Sequence, residues 1–236
     1  MKWSAKSATK AYFDTIKLCN DYTRRCNTWR SQEPGSYEFI SALAAGTSAK
    51  LIVEISPGES SITIALAAAA RQTGGKLVCI LPEQVLAESK RVIKDSGLKD
   101  IVEFKTGDPF EVLSHYGNID FSLVDCKNDD YARLLNLLHV NPEKSVVVAN
   151  NLVCEKTGLG GHVNGMKDKV EVRSIKHLIG KGMEITMIGR TKEIEKRREC
   201  HCKAREIQVK KKTCKSKWVV KTDKVSGEEH IYRVPI

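Results

Sequence analysis

Apolar residues recur first at helical spacing along this chain, and then in short blocks. Between residues 4 and 24, Ala8, Ala11, Tyr12, Thr15, Ile16 and Cys19 fall three or four apart, which predicts a helix capped by Ser4 or Ser7. Asn27 to Gly35 is polar and holds Pro34, so it reads as a loop. Tyr37–Ala45 reads as a second helix, with Gly46 placed for a left-handed cap. The pattern then changes. Apolar blocks at Lys50–Ile55, Lys76–Leu81, Ile101–Lys105, Ile119–Val124 and Lys144–Ala149 read as strands. Helical stretches at Ser61–Gln72, Glu83–Ser96, Pro109–His115 and Asp129–Leu138 separate them, with Gly74 and Gly97 as stops.

Five apolar strands alternating with helices predict a parallel sheet covered on both faces. Right-handed crossovers leave few topologies. Lys169–Ile179 and Met183–Gly189 predict two more strands, joined by a hairpin turn at Gly180-Lys181-Gly182 and closing one edge antiparallel. The expected fold is therefore α/β and Rossmann-like, with a mostly parallel seven-stranded sheet and an antiparallel edge hairpin. Two helices at 1–49 would pack on a core at 50–190. Residues 191–217 have no clean period and read as a basic insertion, and 218–236 as a terminal hairpin turning at Ser226-Gly227.

The densest local signal is KLIVEISPGESSITIALAAAA, residues 50–70. A strand ending in an acid, a small-residue turn and a helix bring helix N–H groups over the strand end. That geometry suits the polar part of a nucleotide-like ligand.

Charge adds one feature. The chain of 236 residues carries +10, but Arg190 to Ile236 alone holds 15 Lys and Arg against 7 Asp and Glu. The body is near neutral and the C-terminal segment is basic, which makes 191–217 a candidate for nucleic-acid association or a nuclear address. A solvated charged segment explains it equally, since only Trp218 and Tyr232 flank the run as stacking residues. The run has no apolar face, so no membrane partner is expected. No apolar run approaches the roughly 18 residues of a membrane span, and MKWSAKSATKAY lacks a signal block. With eight cysteines and no signal, free thiols and a cytoplasmic setting are expected. Cys200-His201-Cys202 with Cys214 lacks the usual spacing of a zinc site.

The ordered set KLIVEISPGESS, GGKLVCILPE, EFKTGDPFEVL, IDFSLVDCKNDDY and VVVANNLV resembles the Rossmann-like S-adenosylmethionine-dependent methyltransferases. The layout is similar to the O-methyltransferases of the catechol and caffeoyl-coenzyme A type. With the terminal SKWVVKTDKVSGEEHIYR, the chain resembles a plant family of uncharacterised methyltransferase-like proteins. The resemblance implies S-adenosyl-L-methionine as cofactor, a small hydroxylated acceptor, O-methyl transfer and, in some members, a divalent metal. A homodimer is compatible with it.

Residue by residue, the resemblance places Glu54 at the cofactor's methionine end. Ser56, Gly58 and Ser60 stand at the small positions of the turn, and Gly107 and Asp108 near the adenine. It puts Leu81 where an acid holds the ribose, so Glu83 becomes the substitute. Asp125, Asn150 and Asn151 match metal-ligand positions, with Asn150 replacing an acid. Asp125, Lys127 and Asn128 match the catalytic element, Asn128 standing where a lysine base is expected. A helix cap or a hydrogen-bonding strand end is the commoner role for Asp125, and Asn150-Asn151 reads more readily as a turn pair than as a ligand pair. Two readings follow: an active transferase, or an inactive member that keeps the fold for binding or scaffolding. Under the second, Leu81→Asp is expected to leave stability nearly unchanged and to restore cofactor affinity.

Overall fold

In the structure, a computed structural model, residues 3–26, 35–58, 60–125, 131–150, 170–177, 182–190, 216–222 and 229–235 are described. Contacts divide the chain into two units, Met1–Glu193 and Ile194–Ile236. The larger begins with helices α1 (Ala5–Cys26) and α2 (Ser36–Gly46). It continues through β1 (Leu51–Ile55), α3 (Ser61–Thr73), β2 (Lys76–Ile80), α4 (Leu86–Asp95), β3 (Val102–Lys105), α5 (Pro109–Leu113), β4 (Phe121–Val124), α6 (Tyr131–Leu137) and β5 (Lys144–Asn150). It ends with β6 (Val170–His177) and β7 (Met183–Arg190). The smaller unit holds β8 (Ser216–Thr222) paired antiparallel with β9 (Glu229–Pro235).

The seven strands of the larger unit lie in the order β3-β2-β1-β4-β5-β7-β6. The first five are parallel. β7 folds back between β5 and β6, antiparallel to both. This is the expected α/β, Rossmann-like sheet with its edge hairpin. Ile52, Leu77, Phe121, Leu123, Val146 and Val148 face one core, shared with α1, α2, α3 and α4. Val53, Val78, Ile80, Val124 and Val147 face the other, shared with α5 and α6. A strand covered on both faces has apolar neighbours above and below, which is why these blocks do not alternate with polar residues.

α3 is apolar all round because it is sandwiched. Ala65 through Ala70 have no exposure, the sheet lying beneath and α1 and α2 above. Alanines let both layers approach closely. The helix ends at Gly74, whose φ of 63° places it in the left-handed region. The next residue, Gly75, is small for a different reason: a Cβ there would enter the Lys50 carbonyl. No helix among the described residues is long and apolar enough to cross a membrane.

Several expectations are corrected. Gly46 is not the left-handed cap of α2. Thr47 stays helical at φ −80°, and Ser48 takes the left-handed position at φ 57°. Gly46 is instead small because the Trp3 indole occupies the space of its Cβ. The helix expected from Glu83 starts as one 3₁₀ turn, Glu83–Val85, because Pro82 enters extended at ψ 145°. β4 starts at Phe121 rather than Ile119, which forms only an isolated bridge to Val140. β8 takes Ser216 and Lys217 from the end of the expected basic insertion. The rest of residues 191–217, with Gly180-Lys181 of one hairpin turn, Ser226-Gly227 of the other, Cys126 and the Cys200-His201-Cys202 group, lies outside the described residues. Cys19 and Cys79 are buried thiols outside any disulfide, and burial pushes the Cys19 thiol up to about 12, so it stays a thiol.

Gly75→Ala is expected to lower stability by about 1–3 kcal/mol, since backbone must shift to admit the methyl. Gly117→Ala, with open space around it, is expected to stay within about 0.5 kcal/mol. Urea unfolding of both variants checks the pair.

Candidate functional site at the sheet switch point

The chain leaves β1 toward β2 on one side and later returns to β4 on the other. The strand order therefore reverses between β1 and β4, and their carboxyl ends border a crevice. The Asp125 N–H donates to the Ile55 carbonyl at 2.8 Å and fixes the two ends level. Register then sets a row across the strand ends: Leu81, Ser56, Asp125 and Asn150, followed by Met183 and His177. Asp125 and Asn150 meet directly, the Asn150 amide donating to Asp125 Oδ2 at 3.5 Å. At the far end the His177 ring lies 5.8 Å from Phe39 of α2.

Glu54 sits one step inside this row with no exposure. The Thr63 hydroxyl of α3 donates to its Oε1 at 3.0 Å, and its Oε2 has no hydrogen-bond partner among the described residues. Burial pushes the Glu54 carboxyl up to about 8. Thr63, Cys79 and Ser56 draw it down less strongly, and the Asp125 charge raises it. The acid is therefore held mainly protonated at neutral pH.

The turn after β1 is closed on itself. The Ser56 N–H extends the ladder to the Ile80 carbonyl at 3.1 Å, and its hydroxyl donates to the Gly58 carbonyl at 2.8 Å. Ser60 caps α3: its hydroxyl accepts from the Ile62 N–H at 3.1 Å, while its own N–H donates to Thr63 Oγ1 at 3.3 Å. Ser60 thus occupies helix donors that an anion would otherwise use. Gly58 has an ordinary φ, and a Cβ there would only touch Val85 at 3.7 Å, so the turn does not demand glycine at this position.

The other expected positions divide. Gly107 has φ 116°, a conformation suited to glycine. Asp108 caps α5, its Oδ1 accepting from the Phe110 N–H at 3.0 Å. Leu81 is 2% exposed and belongs to the core. Glu83 is exposed beyond Pro82 and outside the row. Lys127, Asn128 and Asn151 lie outside the described residues. Among the described residues no group of three or more His, Cys, Asp or Glu could hold a metal.

Sequence reasoning missed Thr63 and Asp120. Thr63 stands three residues after Ser60, a capping-box spacing with threonine in place of the usual Glu or Gln. Asp120 is buried, accepts from the Lys50 N–H at 2.8 Å and from the Asn141 amide at 2.9 Å, and anchors the start of β1.

Glu54 binds a proton in the folded state up to about pH 8, against an unfolded value near 4.5. The folded state then holds more protons between those values, so stability falls as pH rises through that window and levels off above it. The slope is on the order of 1 kcal/mol per pH unit. Glu54→Gln keeps an acceptor for Thr63 and removes the titration. Chemical denaturation from pH 5 to 9 is expected to show a flatter profile for the variant and greater stability than the parent at pH 8. Parallel profiles would contradict this.

Comparison with known proteins fits this architecture. An O-methyltransferase from Bacillus cereus, solved with SAH, aligns at a TM-score of 0.57 and 18% identity, over 75% of this chain and 90% of that one. A methyltransferase from Geobacter sulfurreducens aligns at 0.55 and 19%, over 73% and 87%. The O-methyltransferase TomG from Streptomyces achromogenes, solved with SAM, aligns at 0.54 and 22%, over 75% and 89%. These likenesses show the methyltransferase-type fold. No curated protein sequence matches the chain. The family described as "Protein of unknown function (DUF1442)" matches residues 1–234, and the chain belongs to that family.

Proposed function

We propose that this chain binds S-adenosylmethionine, or its demethylated product, at the crevice between the ends of β1 and β4, with transfer to the hydroxyl of a small acceptor as the associated chemistry. The observation that carries the reading is the level row of Ser56, Asp125 and Asn150 at the switch point, beside the N-terminus of α3. Solved proteins of this fold carry SAM or SAH.

The residues fit the ligand unevenly. Half-buried Asp125, with Glu54 behind it, suits the cationic amino-acid end. Gly107 allows close backbone approach at the end of β3. Leu81 offers the ribose hydroxyls no acceptor. Loss of a charge-assisted hydrogen bond costs about 1.5–3 kcal/mol, or roughly ten- to a hundredfold in affinity. When bound, the cofactor would supply an electrophilic methyl group, while Asp125 and the closed turn would orient it. The buried Leu81 and the self-capped Ser60 favour a second reading, a methyltransferase-fold protein that binds without turning over.

Calorimetry with S-adenosylhomocysteine is expected to give weak but saturable binding, reduced at least about tenfold by Asp125→Asn, which removes a charge contact. Absence of heat and of any thermal shift at millimolar ligand would end the first reading. Saturable binding with no methyl transfer to any of a panel of phenolic acceptors would favour the second. Leu81→Asp, contrary to the expectation from sequence, should destabilise the fold by several kcal/mol, because it buries an unpaired carboxylate. A thermal melt checks this.

A further inference from the structure

α1 buries one side, Ala8, Ala11, Thr15 and Cys19, against α2 and α3. Spacings of three, four and seven residues put Lys6, Lys10, Phe13, Lys17 and Arg24 together on the opposite side, and all five are exposed. From Lys6 to Arg24 the row advances 18 residues, or about 27 Å of helix. No acid stands in it. The acids of this helix, Asp14 and Asp21, are half-buried on its flank, and Asp14 is engaged by Arg71 at 3.2 Å. Among the described residues none of the four cations of the row forms an ion pair.

At the centre of the row stands Phe13, 63% exposed, more than any other large apolar side chain among the described residues. The Tyr12 ring lies edge-on to it, with centroids 5.7 Å apart at 86°. An aromatic face open to water adds nothing to the core, and here it is bracketed by cations. Three candidate occupants fit poorly. A second copy of this face would bring like charges together. A bilayer needs an apolar helix face, and the one on α1 is turned onto the core. A nucleic-acid duplex keeps its bases stacked and leaves Phe13 unmet.

We propose that the outer face of α1 binds single-stranded nucleic acid, its four cations holding phosphates while Phe13 stacks on an unpaired base. The inference stands apart from the reading of the crevice. Lysine ammonium groups on flexible stems can follow an irregular backbone. Stacking on Phe13 tolerates any base, so the strand is held with little regard to sequence. The net charge of +10 draws a polyanion to the chain.

Fluorescence anisotropy of the full chain with labelled oligo(dT) and oligo(U) of about 15 nucleotides, and with a duplex of the same length, tests this. Binding to the single strands is expected, weakening steeply with salt. Lys10→Gln combined with Lys17→Gln should lower affinity at least tenfold or so and make the log–log salt slope shallower by about 1.4, two phosphates at roughly 0.7 each. Phe13→Ala should lower single-strand affinity by about fivefold or more with the slope unchanged, Phe13→Tyr should restore it, and duplex binding should respond to neither. All these positions are exposed, so thermal melts of the variants should match the parent. Affinity and slope unaffected by the lysine pair place the binding elsewhere in the chain, such as residues 191–217, and overturn the inference. Equal loss of single-strand and duplex affinity in Phe13→Ala overturns it too. So does absence of nucleic-acid binding, including the case where phosphatidylserine vesicles are bound instead.

Discussion

The central position of β1 sets the chemistry of everything around it. Flanked by parallel strands on both edges and covered by helices on both faces, β1 has its backbone groups paired and its side chains in apolar surroundings. Polar groups can survive only at its ends. At the start, Asp120 accepts the N–H groups of Lys50 and Leu51. At the finish, Ser56 satisfies itself on its own turn. Glu54 breaks the rule by sitting one step too deep, and the structure accommodates it with a proton and the Thr63 hydroxyl. Thr63 also receives the Ser60 N–H, so the acid and the cap of α3 form one connected unit. Movement of the turn therefore disturbs both.

That unit bears on more than the turn. α3 is the middle layer between the sheet and α1 and α2, and its alanines allow that spacing. Asp14 of α1 meets Arg71 and Gln72 near the helix C-terminus, while the Cys19 thiol donates to the Ser61 carbonyl near its N-terminus. The Ser41 hydroxyl of α2 donates to the Ala11 carbonyl. A shift in the cap of α3 would be felt by both N-terminal helices, because close-packed layers transmit displacement rather than absorb it. The same α2 carries Phe39 against His177, so the helix layer that packs on α3 also touches the strand-end row at β6.

The architecture was legible because its signals repeat. Continuous apolar blocks separated by helical periods, two of them stopped by glycine, point to one topology, and β7 between β5 and β6 agrees with it. Single residues were harder to read. Gly46 looked like a cap because a glycine ended a helical pattern, yet its smallness answers to Trp3, a contact across 43 positions of sequence that no local pattern encodes. Ser60 looked like a worn glycine in a ligand turn, while it is a helix cap. Both serve the same spacing, and only the hydrogen bonds tell them apart. Leu81 was seen as a missing acid, but its burial was not, since a residue just past a strand can face either core or solvent.

Leu81 and Glu54 together suggest how this crevice differs from one with an acid at the end of β2. Leucine at that position extends the core by one residue past β2 and leaves that strand end without an acid. The acids that remain at the crevice are then buried Glu54 of β1 and half-buried Asp125 after β4. Burial holds the Glu54 proton, and the Asp125 charge adds to it. A site so arranged discriminates by the charge of its ligand more than by its sugar. On the proposed reading, the hydrogen bond absent at Leu81 weakens every ribose-bearing ligand alike, whereas Asp125 favours those that bring an ammonium group. Selectivity in this crevice is thus expected at the amino-acid end, and the fold can lose its ribose contact without losing the ability to choose.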